Sequence, residues 1–185
     1  MKIIFGLVGE LAAGKGTFAK YIQEKYSCNI YKFSTMLRDV LDRLYVEKTR
    51  ENLQELSTFV RAQYGQDTLS KVIAKDVEKD AGEIVIVDGI RRPTDITYLK
   101  EIPGFHLIYI TAESKLRYER LVKRNENPGD DQKTYEQFLK DEQSEADKLI
   151  GELGKDAEFT LVNNGSTEEL FSQIDTLVTE LQSKN

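Results

Sequence analysis

Apolar residues fall into two alternating rhythms along the chain, short unbroken runs and helical stripes. The run Lys2-Ile3-Ile4-Phe5-Gly6-Leu7-Val8 predicts a strand, and Asn29-Ile30-Tyr31-Lys32-Phe33 predicts a second. Glu83-Ile84-Val85-Ile86-Val87-Asp88-Gly89 holds four consecutive β-branched residues, the signature of a central parallel strand buried on both faces. Phe105-His106-Leu107-Ile108-Tyr109-Ile110 and Phe159-Thr160-Leu161-Val162 predict two more.

Between these runs the period changes to that of a helix. Phe18, Ala19, Ile22 and Tyr26 mark a helix from Lys15 to about Tyr26. Leu37, Val40, Leu41 and Leu44 share one face of the next, with Ser34 placed as its cap. Leu53, Leu56, Val60 and Tyr64 define a third helix; Leu69, Val72, Ile73 and Val77 define a fourth, with Asp67 as its cap. A short helix is expected over residues 93–100 and another over 113–124. A polar loop with Pro128-Gly129 then spans 125–133, and a long helix over about 135–150 buries Phe138, Leu139, Ala146 and Leu149. Ser166-Thr167-Glu168-Glu169 has the form of a capping box. It opens a closing helix with Leu170, Ile174, Leu177, Val178 and Leu181 on one face. Strands alternating with helices require a parallel sheet with crossovers on both faces. The chain is thus α/β, three layers around about five parallel strands.

Composition narrows the function classes. The 185 residues suit a single domain, 1–185, with a sizeable core. A net charge of −6 argues against non-specific nucleic-acid or anionic-membrane binding. A single cysteine, Cys28, excludes an internal disulfide, and with one histidine, His106, it excludes a zinc cluster of the usual ligands. Cys28 reads as an inert buried thiol at a strand start, and His106 as a structural residue at the head of another strand. No leader is read at the first residues, and no apolar run approaches membrane-spanning length. A reducing, cytoplasmic setting is expected, with the chain a monomer or small homo-oligomer.

The candidate chemistry begins where the first strand ends. Gly9-Glu10-Leu11-Ala12-Ala13-Gly14-Lys15-Gly16-Thr17 carries the spacing Gly-x4-Gly-Lys between a strand and a helix. Such a loop turns its backbone N–H groups into a concavity, and the helix adds its positive N-terminal end. Lys15 brings a full charge on a flexible stem, suited to the β and γ phosphates of a nucleotide. The residue after the lysine, usually the Ser or Thr that ligates magnesium, is Gly16; the hydroxyl comes one position later, at Thr17.

The Gly-Lys-Gly-Thr ending resembles the adenylate-kinase branch of the P-loop proteins, the nucleoside monophosphate kinases. The likeness runs along nearly the whole chain. Ser34-Thr35-Met36-Leu37-Arg38 resembles the acceptor-side segment of that family, shortened by the two residues between Thr and Met. Asp88-Gly89-Ile90-Arg91-Arg92 resembles its Asp-Gly-Phe-Pro-Arg strand end, and Glu119-Arg120-Leu121-Val122-Lys123-Arg124 resembles the helix leading into its lid. Nearest in pattern are proteins described as adenylate-kinase-related or dephospho-CoA-kinase-like, which share Asp-Gly-Ile-Arg and an Arg-x-x-Arg start like Arg117 and Arg120. The resemblance implies a P-loop kinase fold with an acceptor-binding helical region at about 34–81 and a lid at about 120–134. It implies ATP as co-substrate and magnesium held largely through water, with Asp88 ordering that water. Ser34, Thr35, Arg38 and one of Arg91 and Arg92 would hold the acceptor phosphate. Arg120 and Arg124 would hold the donor phosphates as the lid closes.

Independent of family, phosphoryl transfer needs positioned positive charge around a charge-rich transition state. Arginine serves because its planar fork meets phosphate oxygens two at a time. Arg38, Arg91, Arg92, Arg120 and Arg124 lie at strand ends or helix faces from which they can converge on Lys15 and its loop. Arg50, Asn52, Gln54, Arg61 and Gly65 read as a polar run between two helices, in a region that such folds place over the acceptor base.

Two other P-loop classes fit poorly. No Asn-Lys-x-Asp selects guanine, and the residue after the strand-end Asp88 is Gly89, where a motor or AAA-type hydrolase usually places a glutamate. A transferase acting on a small phosphorylated acceptor, first a ribo- or deoxynucleoside monophosphate, is therefore expected. Dephospho-CoA is the alternative acceptor, and a regulatory or assembly-factor ATPase is the alternative of another class.

Overall fold

The computed structural model of the chain describes residues 2–124, 129–143 and 149–184. Its strands are β1 (Ile3–Val8), β2 (Asn29–Lys32), β3 (Ile84–Asp88), β4 (Phe105–Thr111) and β5 (Phe159–Val162). They form one sheet in the order β2-β3-β1-β4-β5, with every neighbouring pair parallel. Parallel strands have their carboxyl ends on one edge, so the segments after β1, β2, β3, β4 and β5 all emerge there. All six residues of β1 are buried, as a central strand covered on both faces requires.

The period-2 alternation of the strands divides the core in two. Ile3, Phe5, Leu7, Ile84, Ile86, Ile108 and Ile110 face helices α1 (Lys15–Tyr26) and α8 (Thr167–Ser183). Ile4, Val8, Val85, Val87 and Leu107 face the other way, toward α2 (Phe33–Arg43), α4 (Thr68–Lys79) and α7 (Ile150–Lys155). Helix α3 (Arg50–Tyr64) lies over α2 and α4, contributing Leu53, Leu56 and Val60 to the second cluster. Helices α5 (Ser114–Arg124) and α6 (Tyr135–Glu142) follow β4. No helix among the described residues is long and apolar enough to cross a membrane.

The expected strands are all present, and the α1/α8 layer follows its apolar pattern: Phe18, Ala19, Ile22, Leu170, Ile174, Leu177, Val178 and Leu181 are buried. Cys28 is buried just before β2, and the His106 ring on β4 pairs with Glu158 at 2.7 Å. Elsewhere several details differ. Helix α2 begins at Phe33, not after Ser34, so Lys32 is its cap residue and no side chain caps it. Its buried stripe is Phe33, Leu37 and Leu41, four apart, which leaves Val40 and Leu44 on the exposed flank. Tyr64 and Val72 are exposed for the same geometric reason. Asp67 stands at the cap position of α4 without a side-chain bond to the helix. The stretch 93–100 makes two 3-10 turns, Pro93–Ile96 and Leu99–Glu101, since Pro93 and a short span leave no room for an α-helix.

The helix expected over 135–150 ends at Glu142, and α7 starts at Ile150. Phe138 is buried, Leu139 is exposed and Leu149 is half-buried. Ala146 lies outside the described residues, as do Asn125 and Pro128 of the polar loop. Ser166 caps α8 by accepting from the Glu169 N–H at 3.2 Å.

Candidate active site

The loop after β1 is held tightly where it leaves the sheet and open where it enters α1. A Cβ on Gly9 would overlap the Ile110 carbonyl oxygen of β4, so only glycine lets the chain turn there. Ala12 and Gly14 are left-handed, with φ of 60° and 118°, which curls the loop before Lys15 opens α1. Buried Asn163, just past β5, donates through Nδ2 to the Ala13 carbonyl at 2.8 Å and fixes the far side of the loop. The Lys15 ammonium donates across the curl to the carbonyls of Gly9 and Glu10, the latter at 2.9 Å. Around Gly16, by contrast, nothing lies within 4 Å of an added Cβ. Protein packing alone does not demand glycine there, and the space stands at a helix N-terminus, where anions are favoured.

Glu10 is held from below. One carboxylate oxygen accepts a hydrogen bond from the Tyr109 hydroxyl on β4, and the other is buried with no partner among the described residues. Burial, then that bond, raises the tyrosine's pKa above its ordinary value, so Tyr109 stays a donor throughout the neutral range.

The neighbouring strands place the other expected residues on the same edge. Asp88 ends β3 opposite Lys32 of β2; its carboxylate lies 3.7 Å from the Lys32 ammonium and is 17% exposed. Ser34 is half-buried and Thr35 and Arg38 are exposed, all on the first two turns of α2 directly after β2. After Gly89 and buried Ile90 come Arg91, exposed, and Arg92, half-buried.

From the β4 side, α5 carries three arginines, two of which meet the loop or its brace. Arg120 Nη1 donates to the Asn163 carbonyl at 2.8 Å, so it meets the same residue that braces Ala13. Arg124 is exposed at the end of the helix. Arg117, which the sequence marked only as the start of Arg-x-x-Arg, is buried. It donates to the Ala112 carbonyl at 2.9 Å and reaches the Leu11 carbonyl at 3.4 Å, while its guanidinium pairs with Glu142 of α6. The start of α5 and the end of α6 are thereby tied to the phosphate loop.

Sequence reasoning gave no role to Asn163, Tyr109 or Asp95, and placed Arg61 in a polar run between helices. Arg50, Asn52, Gln54 and Arg61 in fact lie on α3, with Gly65 as its carboxyl cap. Arg61 and Asp95 are both buried and paired at 2.7 Å. A faint signal existed for Asp95: an acid two residues after Pro93 has the form of a turn cap.

Comparison with known proteins agrees with this geometry. A protein-family model described as an AAA domain matches residues 8–138. The UPF0200 protein of Sulfurisphaera tokodaii is 32% identical over 176 residues, covering 95% of each chain. This chain is an AAA-domain protein of the UPF0200 family. The UPF0200 protein of Staphylothermus marinus is 30% identical over 186 residues, covering 100% of this chain and 96% of its own. Among solved structures, shikimate kinase from Bacteroides thetaiotaomicron matches with a TM-score of 0.64 at 16% identity, over 97% of this chain and 98% of that one. TT1252 from Thermus thermophilus gives 0.63 at 17% identity over the same shares. At such identities the likeness carries the fold alone, a P-loop kinase fold. Within it, this UPF0200 chain has Gly89, not an acid, after the strand-end aspartate.

Proposed function

We propose that the chain transfers the γ-phosphoryl group of ATP to a small phosphorylated acceptor, a nucleoside or deoxynucleoside monophosphate, giving ADP and the diphosphate. The observation that carries this reading is the edge itself. A phosphate-type loop and a strand-end carboxylate with no acid after it lie along it, and the three arginine-bearing segments α2, 89–92 and α5 all start from it. Hydrolysis needs a group that activates water, whereas transfer needs positioned positive charge and exclusion of water. The residues along this edge offer the positive charge.

In this reading the backbone of residues 9–17 cradles the donor phosphates, and Lys15 moves from its own loop carbonyls onto the β and γ oxygens. Arg120 and Arg124 hold the donor phosphates; residues 125–128 of the lid expected at about 120–134 lie outside the described residues. Ser34, Thr35, Arg38 and Arg91 or Arg92 hold the acceptor phosphate within a helical region at about 34–81. The Asp88 carboxylate fits a role toward hydrated magnesium, because its neighbour Lys32 at 3.7 Å leaves oxygens able to accept from water. Magnesium, held there through water, would supply positive charge to the donor phosphates.

ADP release from magnesium-ATP, measured against ribo- and deoxynucleoside monophosphates, dephospho-CoA and a no-acceptor control, tests the reading. Strong stimulation by one nucleotide class is expected. Stimulation by dephospho-CoA alone would replace the acceptor, and equal slow turnover in every well would replace transfer by ATP hydrolysis.

A further inference from the structure

Asp95 divides its carboxylate between two parts of the molecule. Oδ1 accepts from Arg61 Nη2 of α3 at 2.7 Å. Oδ2 accepts from the backbone N–H groups of Arg91 and Arg92, at 2.9 and 3.0 Å. The Asp95 N–H returns to the Arg92 carbonyl at 2.9 Å, closing a tight turn over Pro93. Arg61 uses a second arm, Nη1, to donate to the Gln66 carbonyl in the link between α3 and α4. The pair is almost wholly removed from water, with side-chain exposures of 7% and 3%.

A buried ion pair is a weak source of stability, because desolvating both charges offsets their attraction. What this pair does supply is geometry. Two successive amides, those of exposed Arg91 and half-buried Arg92, are pinned to one oxygen, and the other oxygen is locked to the helix pair α3–α4. A lysine at position 61 would offer one point charge, not the fork that bridges Asp95 and Gln66.

We propose that Arg61 and Asp95 are positioning residues that fix the Arg91–Arg92 turn for binding the acceptor's phosphate and couple that turn to the α3–α4 hairpin. The proposal rests on the phosphoryl-transfer reading for its substrate, but the positioning itself can be measured without any substrate.

The test is Asp95→Asn. An amide has one acceptor oxygen, so it cannot serve Arg61 and both amides together. Hydrogen exchange should then accelerate by about tenfold or more at the Arg91 and Arg92 amides, while β1 and α8 keep their protection. The apparent KM for the acceptor should rise by about ten- to a hundredfold, with that for ATP within about twofold. The double variant Arg61→Met, Asp95→Ala removes the acceptor, leaves no unpaired buried charge and should give the same local pattern even where Asp95→Asn alone folds poorly. Unchanged exchange at Arg91 and Arg92, acceleration spread evenly into β1 and α8, or KM values for ATP and acceptor that rise together would each overturn the proposal. Wild-type protein that phosphorylates no acceptor would instead reject the transfer reading, and the exchange data would still decide whether the turn is pinned.

Discussion

The two faces of the sheet are built on different terms. On the α1/α8 face the layer is continuous hydrocarbon, with Phe18 edge-on to Phe5 at 5.5 Å and five residues of α8 fully engaged. Its polar groups, such as the Tyr21–Asp175–Lys25 cluster linking α1 to α8, stay at the rim. On the opposite face, helices leave Val40, Leu44, Phe59 and Tyr64 exposed while burying Arg61 and Asp95. The first face stores stability. The second gives up some burial in order to hold charged groups in fixed places near the edge.

Helix α1 belongs to both worlds, since it begins in the phosphate loop and continues into the closed core. Lys15→Ala should therefore separate them most sharply. Phosphoryl transfer should fall by about a hundredfold or more, while the unfolding midpoint in urea stays close to that of wild type. Near-normal transfer would remove Lys15 from the site.

Next in size is a core comparison. Ile174→Ala, at a fully buried position of α8, should cost about 2–5 kcal/mol by urea denaturation. Val40→Ala on α2, 43% exposed, should change stability by less than about 0.5 kcal/mol. Equal losses would mean that the two faces do not differ as described.

Gly16→Ala sharpens the boundary between loop and core. The added methyl meets no protein atom within 4 Å, so stability should hold or rise by about 0.4–1 kcal/mol. ATP affinity by titration should fall by about tenfold, or 1.4 kcal/mol, because the methyl enters the space assigned to phosphate. Unchanged ATP affinity would move the nucleotide elsewhere.

The smallest effect concerns the rim of the closed face. The Lys25 hydrogen bond, with that of Tyr21, outweighs burial and lowers the Asp175 pKa below its ordinary 3.8. A lowered folded-state pKa contributes stability above about pH 4 that is lost as pH falls through the folded value. Asp175→Asn should lower thermal stability slightly at neutral pH and leave it nearly unchanged below the folded pKa, so that the acid limb flattens. A steeper acid limb in the variant would contradict the assignment.

Most of the fold was legible because its signals are local. A buried central strand must be apolar along its length, and Gly9, Gly14 and Lys15 have a spacing that needs no partner from elsewhere to be read. The second face was less legible. Whether Val40 or Leu41 turns inward depends on which helix lies above it, and periodicity alone admits both. The pairs Arg61–Asp95 and Arg117–Glu142 join residues 34 and 25 apart; nothing in either segment names the other. Asn163 was hidden for the same reason, since its bond to Ala13 spans the chain from end to end.

The most direct test of the account follows the phosphoryl group itself. ATP labelled at its γ-phosphorus would be incubated with the protein, magnesium and the acceptor that most stimulates ADP release, and the label traced. The account predicts label in the acceptor's diphosphate, with little in orthophosphate. Label that appears in orthophosphate at the same rate with and without acceptor would contradict it.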